Sequence, residues 1–322
     1  MNDRVAAIYR DFADVEVQRS SPVYFDWACG VADDPEVAGL IGTLPTTKVQ
    51  PNLVFAAARH CGAPVGPYRQ FRSWLVENWT VVVPVVLARA TQTNEAARCA
   101  VLLPILSALD GPLALIEAGA PAGLCLYPDR YSYRYRVNDQ TVTLAPESGP
   151  GTVEIPCDLT ATEAPTRLPR VAWRAGADLN PIAPTDSDQL AWLETLIWPE
   201  HDARRDRLRA AAKVVAEDPP GLVRGDILTA VPELIERAPA GTKIVVFRSA
   251  VLACLPPGQR QQFVELMLAR EDVVWISNEG AGVLPSVTEQ VDRPVAGRFI
   301  VAVDGRAVAL AGPHGQSYEA LT

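Results

Sequence analysis

The sequence predicts an α/β protein with a helical N-terminal region over residues 1–110. A mostly parallel β-sheet ending in an antiparallel hairpin is predicted over residues 111–322. Up to Asp110 the apolar residues recur with helical spacing. After Asp110 short apolar runs alternate with amphipathic segments, which is typical of βαβ units. A chain of 322 residues is long enough to bury a core without disulfides or metals.

Four helices are predicted in the N-terminal region, and polar residues or proline mark where they begin. A short polar side chain caps the free N–H groups of a helix, and proline fits its first turn. The apolar spacing over Val5–Phe12 predicts the first helix. The second is predicted to begin at Ser20-Ser21-Pro22, the third at Gln50-Pro51, and the fourth at Thr93 or Asn94.

The strands are predicted from apolar runs that follow Asp110-Gly111-Pro112. Two runs near the C-terminus are joined by Asp304-Gly305, and Asp-Gly between apolar runs is a strong hairpin signal. Between about residues 127 and 170, alternating tyrosines predict a β insertion. These tyrosines either pack on one face of a β ribbon or form a lid over a substrate pocket. The runs are Leu113–Ile116, Val171–Trp173, Gly221–Val223, Lys243–Phe247, Asp272–Ile276, Arg298–Val303 and Ala307–Leu310, and the tyrosines are Tyr131, Tyr133 and Tyr135.

Composition excludes several classes of function. The net charge of −9 argues against a protein that binds the phosphate backbone of nucleic acids. No apolar run approaches the roughly 20 residues of a membrane span. The six cysteines form no CxxC pair and the three histidines are dispersed, so no metal site is expected. Without a secretory signal, we expect a cytoplasmic protein with reduced thiols.

The sharpest motif is Glu117-x-Gly119-x-x-x-Gly123, which follows an apolar strand directly. Glycines at such a turn let the backbone approach a nucleotide-like ligand, and a carboxylate can bind a cationic group. The spacing resembles the acidic-x-Gly-x-Gly-x-Gly loop of S-adenosylmethionine methyltransferases, with Pro121 in place of the middle glycine. The alternative is a tight strand–helix turn that binds nothing.

Polar residues also lie at or just after the carboxyl ends of three later strands: Asp178, Asp226 and Arg248. Ligands of open α/β sheets bind at the carboxyl ends of the strands. Asp178 can accept both ribose hydroxyls of a nucleoside, and Asp226 can accept the amino group of adenine. Each residue also has a structural interpretation, since an aspartate at such a position is often a helix N-cap.

The residues assigned to substrate are Asn94, Arg98 and Asn278, and the catalytic candidates are Glu95, Arg248 and Glu279. We predict that Asn94 and Glu95 lie in the same cleft as Glu117 and Arg248. A helix cap explains Asn94 and Glu95 equally well, and Asn-Glu-Gly is also ordinary loop sequence. Residues 197–201 indicate packing, and residues 200–209 a solvated helix face.

Several longer motifs resemble a large bacterial family known only as a domain of unknown function. The resemblance implies a Rossmann-like fold of the methyltransferase type and supplies no activity. Pro121 replaces the serine usual in that family, and Arg248 replaces histidine. The motifs include Glu117-x-Gly119-x-x-x-Gly123-Leu124, Asp129-Arg130-Tyr131, Trp173–Pro181, Ile197–Glu200, Val223–Asp226, Ser249–Leu252 and Ser277–Gly280, with Ser21-Pro22, Gln50–Asn52 and Gln92–Glu95 upstream.

The expected function is therefore methyl transfer from S-adenosylmethionine to a small molecule. Glu117, Gly119 and Gly123 would hold the methionine part of this cofactor, Asp178 the ribose and Asp226 the adenine. The alternative is a catalytically silent binding or regulatory protein that keeps the fold, which Pro121 favours. A nicotinamide enzyme is a weaker third reading because the glycine spacing does not suit a pyrophosphate. The oligomeric state and the methyl acceptor are left open.

Overall fold

The computed structural model describes residues 2–149 and 151–321. The chain forms two compact units. The helical unit comprises Met1–Thr93 and Asp186–Asp206, and the sheet unit comprises Asn94–Thr185 and Arg207–Thr322. The sheet unit thus includes residues that precede the first strand.

The helical unit is built from six α-helices and part of a seventh, and its helix starts follow the predicted signals. Ser21 caps the second helix, where its Oγ accepts a hydrogen bond from the Tyr24 backbone N–H, and Pro22 occupies the first turn. Pro51 likewise begins the helix that was predicted as the third, so the predicted starts at Pro22 and Pro51 are both confirmed. The helices are α1 (Asn2–Asp11), α2 (Pro22–Asp33), α3 (Pro35–Gly42), α4 (Pro51–His60), α5 (Tyr68–Ala88), α7 (Ser187–Leu196) and the start of α8 (Asp202–Glu217).

Aromatic side chains fill the core of the helical unit. Trp27 stacks on Phe71 with ring centroids 3.9 Å apart, and Phe55 meets both rings edge-on. Such ring contacts stabilise the core beyond the effect of burying apolar surface alone. In α5, Val82 and Val86 are buried, whereas Val81 is exposed. In the described residues no helix is long and apolar enough to cross a membrane.

The sheet unit contains one eleven-stranded sheet in the order β3-β2-β4-β11-β10-β9-β8-β7-β1-β5-β6. The five runs predicted as parallel strands all lie in this sheet, so that prediction is confirmed. The strands are β1 (Pro112–Ala118), β2 (Ser132–Val137), β3 (Gln140–Leu144), β4 (Glu154–Thr160), β5 (Arg170–Asp178), β6 (Gly221–Arg224), β7 (Lys243–Ser249), β8 (Val273–Gly280), β9 (Phe299–Val303), β10 (Arg306–Ala311) and β11 (Ser317–Ala320).

The parallel part of the sheet reverses its strand order at β1. This strand lies between β5 and β7, and the chain adds β5 and β6 on one side before it crosses to β7 and β8 on the other. β9 and β10 then form the predicted antiparallel hairpin, in which Asp304 and Gly305 both have positive φ. The predicted β insertion extends the sheet as β2 to β4.

The tyrosines of the insertion are packing residues. Tyr131, Tyr133 and Tyr135 are fully buried, and their hydroxyls donate to backbone carbonyls of Leu124, Pro128 and Ala100 respectively. Each polar hydroxyl is thus paired inside the core, as a buried tyrosine requires. These contacts favour the packing interpretation over a lid.

Besides the main part of α8, the sheet unit contains four further helices. The face of the sheet that carries Ile116 and Trp275 packs against α9, α10 and α11 in a large apolar core. The predicted fourth helix begins later than expected: a 3-10 turn over Ala96–Arg98 precedes it, and the cap is Glu95. The helices are α6 (Cys99–Leu106), α9 (Ile227–Glu236), α10 (Pro257–Leu268) and α11 (Pro285–Thr288).

Candidate functional site

The candidate site is the carboxyl edge of the sheet where β1 meets β7. Ligands of open α/β sheets bind at such a switch point, where the strand order reverses. Four polar residues share one face there. Glu117 is the register neighbour of Gly176 and Phe247, and Ser249 is the neighbour of Asn278. Because side chains alternate along each strand, Glu117, Asp178, Ser249 and Asn278 belong to the same face.

Glu117 is a carboxylic acid inside the protein. Its side chain is only 8 % exposed, and its Oε2 atom has no hydrogen-bond partner among the described residues. Burial raises the pKa of Glu117 to about 8; Arg98 lowers it and Asp178 raises it further. Glu117 is therefore largely protonated at neutral pH, and its Oε2 atom is available for a hydrogen bond with a ligand.

The glycine turn after β1 is closely packed by the protein itself. Gly119 has a φ of +81°, and a Cβ at this position would lie 2.4 Å from Val251 Cγ2. The N–H groups of Gly119 and Ala120 both donate to the Ala177 carbonyl, at 2.8 and 3.0 Å. The Ala122 N–H donates to Asn94 Oδ1 at 3.0 Å. Protein contacts alone therefore account for this turn, as the alternative without a ligand requires.

Asp178 and Asp226 differ in how fully the protein uses them. Asp178 is half-buried at the end of β5, where its Oδ1 accepts from the Asn180 N–H at 2.7 Å. Burial raises its pKa, while the Asn180 amide and Arg224 lower it. Asp226 caps α9 and accepts from the Leu228 N–H at 2.9 Å. The cap accounts for Asp226, and its assignment to adenine stays a prediction.

Arg98 and Asn278 lie beside the ends of β7 and β8. Arg98 Nη1 donates to the Ser249 carbonyl at 2.9 Å, and its Nε donates to the Pro313 carbonyl at 3.0 Å. Asn278 is fully buried, and its Nδ2 donates to Ser249 Oγ at 2.8 Å. Its Oδ1 has no partner in the part of the chain that the structure describes. Ser249 was thus missed as a site residue, although it lies just after the strand predicted over Lys243–Phe247.

Asn94 and Glu95 lie next to the glycine turn. Besides the Asn94 bond to Ala122, the Glu95 carbonyl accepts from the Cys125 thiol at 3.4 Å. The Glu95 carboxylate accepts from the Ala97 N–H and from Arg207 Nε, at 3.1 and 3.0 Å. Glu95 is 4 % exposed, so it does not face solvent. Its roles as cap and ion-pair partner are structural, and its catalytic role stays a prediction.

Arg207 corrects the expectation of a solvated helix face. Its side chain is mostly buried where it pairs with Glu95. Arg205, in the same predicted stretch, donates to the Trp198 and Pro199 carbonyls. Alternating charges do not reveal which of them find buried partners, so no signal in the sequence distinguished these two arginines from their neighbours.

Arg248 and Glu279 form a buried ion pair on the opposite face of the sheet. Arg248 Nη1 donates to Glu279 Oε1 at 2.8 Å, and its guanidinium lies 5.4 Å from the ring centroids of Phe263 and Trp275. Burial lowers the pKa of Arg248 to about 9, although Glu279 raises it. The expectation that Arg248 shares a cleft with Glu117 is therefore corrected, because adjacent residues of β7 point to opposite faces.

Glu279 also holds the loop that follows β7. Its Oε1 accepts from the N–H groups of Val251 and Leu252, at 2.9 and 3.1 Å. Ala250, at the start of this loop, has a φ of +57°. The carboxylate thus fixes the strained loop that places Val251 against Gly119. A catalytic role for Arg248 and Glu279 stays a prediction.

Comparison with known proteins places the chain in a family. A family model described as "Uncharacterized protein conserved in bacteria (DUF2332)" matches residues 6–319. The chain belongs to this family. No curated protein and no solved structure gives a match. The predicted resemblance to a bacterial family of unknown function is thus confirmed over nearly the whole chain.

Proposed function

We propose that this protein is an S-adenosylmethionine-dependent methyltransferase that acts on a small molecule. The observation that carries the proposal is Glu117, a buried carboxylic acid with an unpartnered Oε2 at the strand-order reversal. Asp178 lies on the same face, one strand away. A nucleoside with a cationic amino group presents the two groups that such a pair of acids can bind.

When bound, S-adenosylmethionine supplies an electrophilic methyl group on its sulfonium. Glu117 would bind the amino group of the cofactor and Asp178 the ribose hydroxyls, with Asp226 near the adenine. Ser249 and Asn278 would orient the methyl acceptor. Methyl transfer is an in-line displacement in which orientation supplies much of the rate, so a dedicated base is not compulsory.

The protonation of Glu117 gives this binding a characteristic pH dependence. Because burial raises its pKa to about 8, the carboxyl group must lose a proton before it pairs with an ammonium group. Arg98 and Asp178 are the charged groups that act on this carboxyl, and the buried Cys125 and Tyr131 are titratable groups that interact with it. Affinity for the cofactor is therefore expected to rise with pH up to about 8.

Calorimetry with S-adenosylmethionine, S-adenosylhomocysteine and NAD tests the proposal. We expect the first two to bind and NAD not to bind. Asp178→Ala leaves two ligand hydroxyls without a partner, so affinity for S-adenosylhomocysteine should fall about 10- to 100-fold. Asp272→Ala is the matched control. Asp272 lies just before the amino-terminal end of β8, away from the carboxyl ends of the strands, so this variant should leave binding unchanged. Unchanged binding in Asp178→Ala would remove this residue from the site.

A specific observation favours the second candidate, a silent binding or regulatory protein. Val251 packs against Gly119, where a cofactor would approach the turn, and the turn amides already have partners. Val251→Ala removes this contact. If the site binds the cofactor, the variant should bind S-adenosylhomocysteine at least as tightly as the unmodified protein. If neither protein binds it at millimolar concentration, the silent alternative is favoured.

A further inference from the structure

The edge strand β3 is open along its outer side. It pairs with β2 and is the last strand of the sheet, and no other strand in residues 2–149 and 151–321 pairs with it. Four of its five residues are exposed, and none is charged. Edge strands without charges, prolines or a covering element are templates for pairing with another chain.

The opposite edge of the same sheet lacks this openness. β6 has four residues, follows Pro219-Pro220 and ends at Arg224. A short strand, proline and a charged side chain are the usual protections of a sheet edge against association. β3, from Gln140 to Leu144, is one residue longer and contains neither a proline nor a charged residue, although Asp139 precedes it and Pro146 follows two residues after its end.

The hairpin register shows which backbone groups of β3 point outward. Val137 and Gln140 flank the two-residue turn between β2 and β3. Antiparallel neighbours alternate between bonded and non-bonded pairs, and the pair that closes such a turn is bonded. Gln140 and Val142 therefore bond to β2. Thr141 and Thr143 direct their N–H and C=O groups away from the sheet.

The sequence of β3 is symmetric about its centre. Thr141 and Thr143 flank Val142, so an antiparallel copy centred on Val142 places each threonine opposite the other threonine of the second copy. Such a pair exchanges both N–H···O bonds, and facing threonines are favourable across strands. Val142 shares the face of buried Tyr135 yet is 38 % exposed, and the second copy would cover it.

We propose that two copies of this chain pair through β3, edge to edge and antiparallel, about a two-fold axis at Val142. The interface is isologous, as in most homodimers, and extends the sheet across both copies. The absence of charge between Gln140 and Leu144 means that no like charges meet at the axis, despite the net charge of −9 on each chain. This inference does not depend on the proposed methyltransferase activity.

Size-exclusion chromatography with light scattering on the full chain tests the dimer. At about 100 µM we expect twice the chain mass of 34.7 kDa. Thr143→Pro removes an outward N–H while the bonds to β2 remain, and Val142→Lys places two positive charges at the axis. Each variant should weaken dimerisation at least about tenfold, which raises the fraction of monomer measured at the same concentration.

The matched control is Val15→Lys, which changes another exposed valine and should leave the dimer intact. Circular dichroism melting shows whether each variant is folded. If Thr143→Pro does not fold, Val142→Lys decides, because this side chain is exposed at the edge. A monomeric unmodified protein at about 100 µM overturns the proposal. A dimer that persists in Val142→Lys also overturns it.

Discussion

At the scale of single residues, Glu117 shows how burial changes the chemistry of a carboxyl group. Water no longer stabilises the ionised form, and the positive charge of Arg98 offsets only part of this loss. The Glu117 carboxyl group therefore stays mostly protonated and uncharged at a pH where most carboxylates are ionised. Removing its charge should affect stability as well as ligand binding.

Glu117→Gln is expected to stabilise the protein at high pH. The ordinary pKa of 4.5 applies to the unfolded chain and about 8 to the folded one. The folded state thus holds the proton more tightly, and stability falls as the pH rises from about 4.5 to about 8. Glutamine cannot ionise, so the variant should gain about 4 kcal/mol more at pH 8.5 than at pH 5. Urea unfolding at both pH values measures this, and an equal gain at both would contradict it.

At the scale of elements, the buried pair of Arg248 and Glu279 joins β7, β8 and the loop between β7 and α10. A buried charge without its partner is costly, whereas removing both charges often costs little. The pair therefore matters more for holding the loop in place than as a net source of stability.

Glu279→Ala is expected to destabilise the protein by about 3–5 kcal/mol, because Arg248 remains buried without a partner. The Val251 and Leu252 N–H groups also lose their acceptor. The double variant Arg248→Met with Glu279→Gln keeps an amide oxygen and removes both charges, so it should cost less than the single change. Chemical denaturation of both variants measures the difference. A double variant as unstable as Glu279→Ala would show that the loss is due to packing instead.

At the scale of the whole molecule, the net charge of −9 should distinguish the cationic cofactor from its product. S-adenosylmethionine carries one more positive charge than S-adenosylhomocysteine, so the negative field attracts it more strongly. Raising the salt concentration from about 0.02 to 0.5 M should weaken binding of S-adenosylmethionine about 2- to 5-fold more than that of S-adenosylhomocysteine. Calorimetry at both concentrations measures this, and parallel weakening would exclude long-range attraction.

Much of the fold could be predicted because its signals are local. Pro22 and Pro51 mark helix starts, and Asp304-Gly305 sets the last hairpin. α5 contains Pro84 in an apolar run and was not predicted as a helix. β11 has four residues, too few to show a clear alternation.

The sequence by itself determined the order of the five parallel strands along the chain, the carboxyl-edge positions of the polar residues and the membership of the family. Only the tertiary structure decided which of those residues meet. A one-residue step along β7 separates Ser249, beside Asn278, from Arg248, which pairs with Glu279 on the other face. The register of β7 with its neighbouring strands decides which face of the sheet each of its side chains occupies. Burial is likewise a property of the packed molecule, so the raised pKa of Glu117 follows from the fold and not from the motif that contains it.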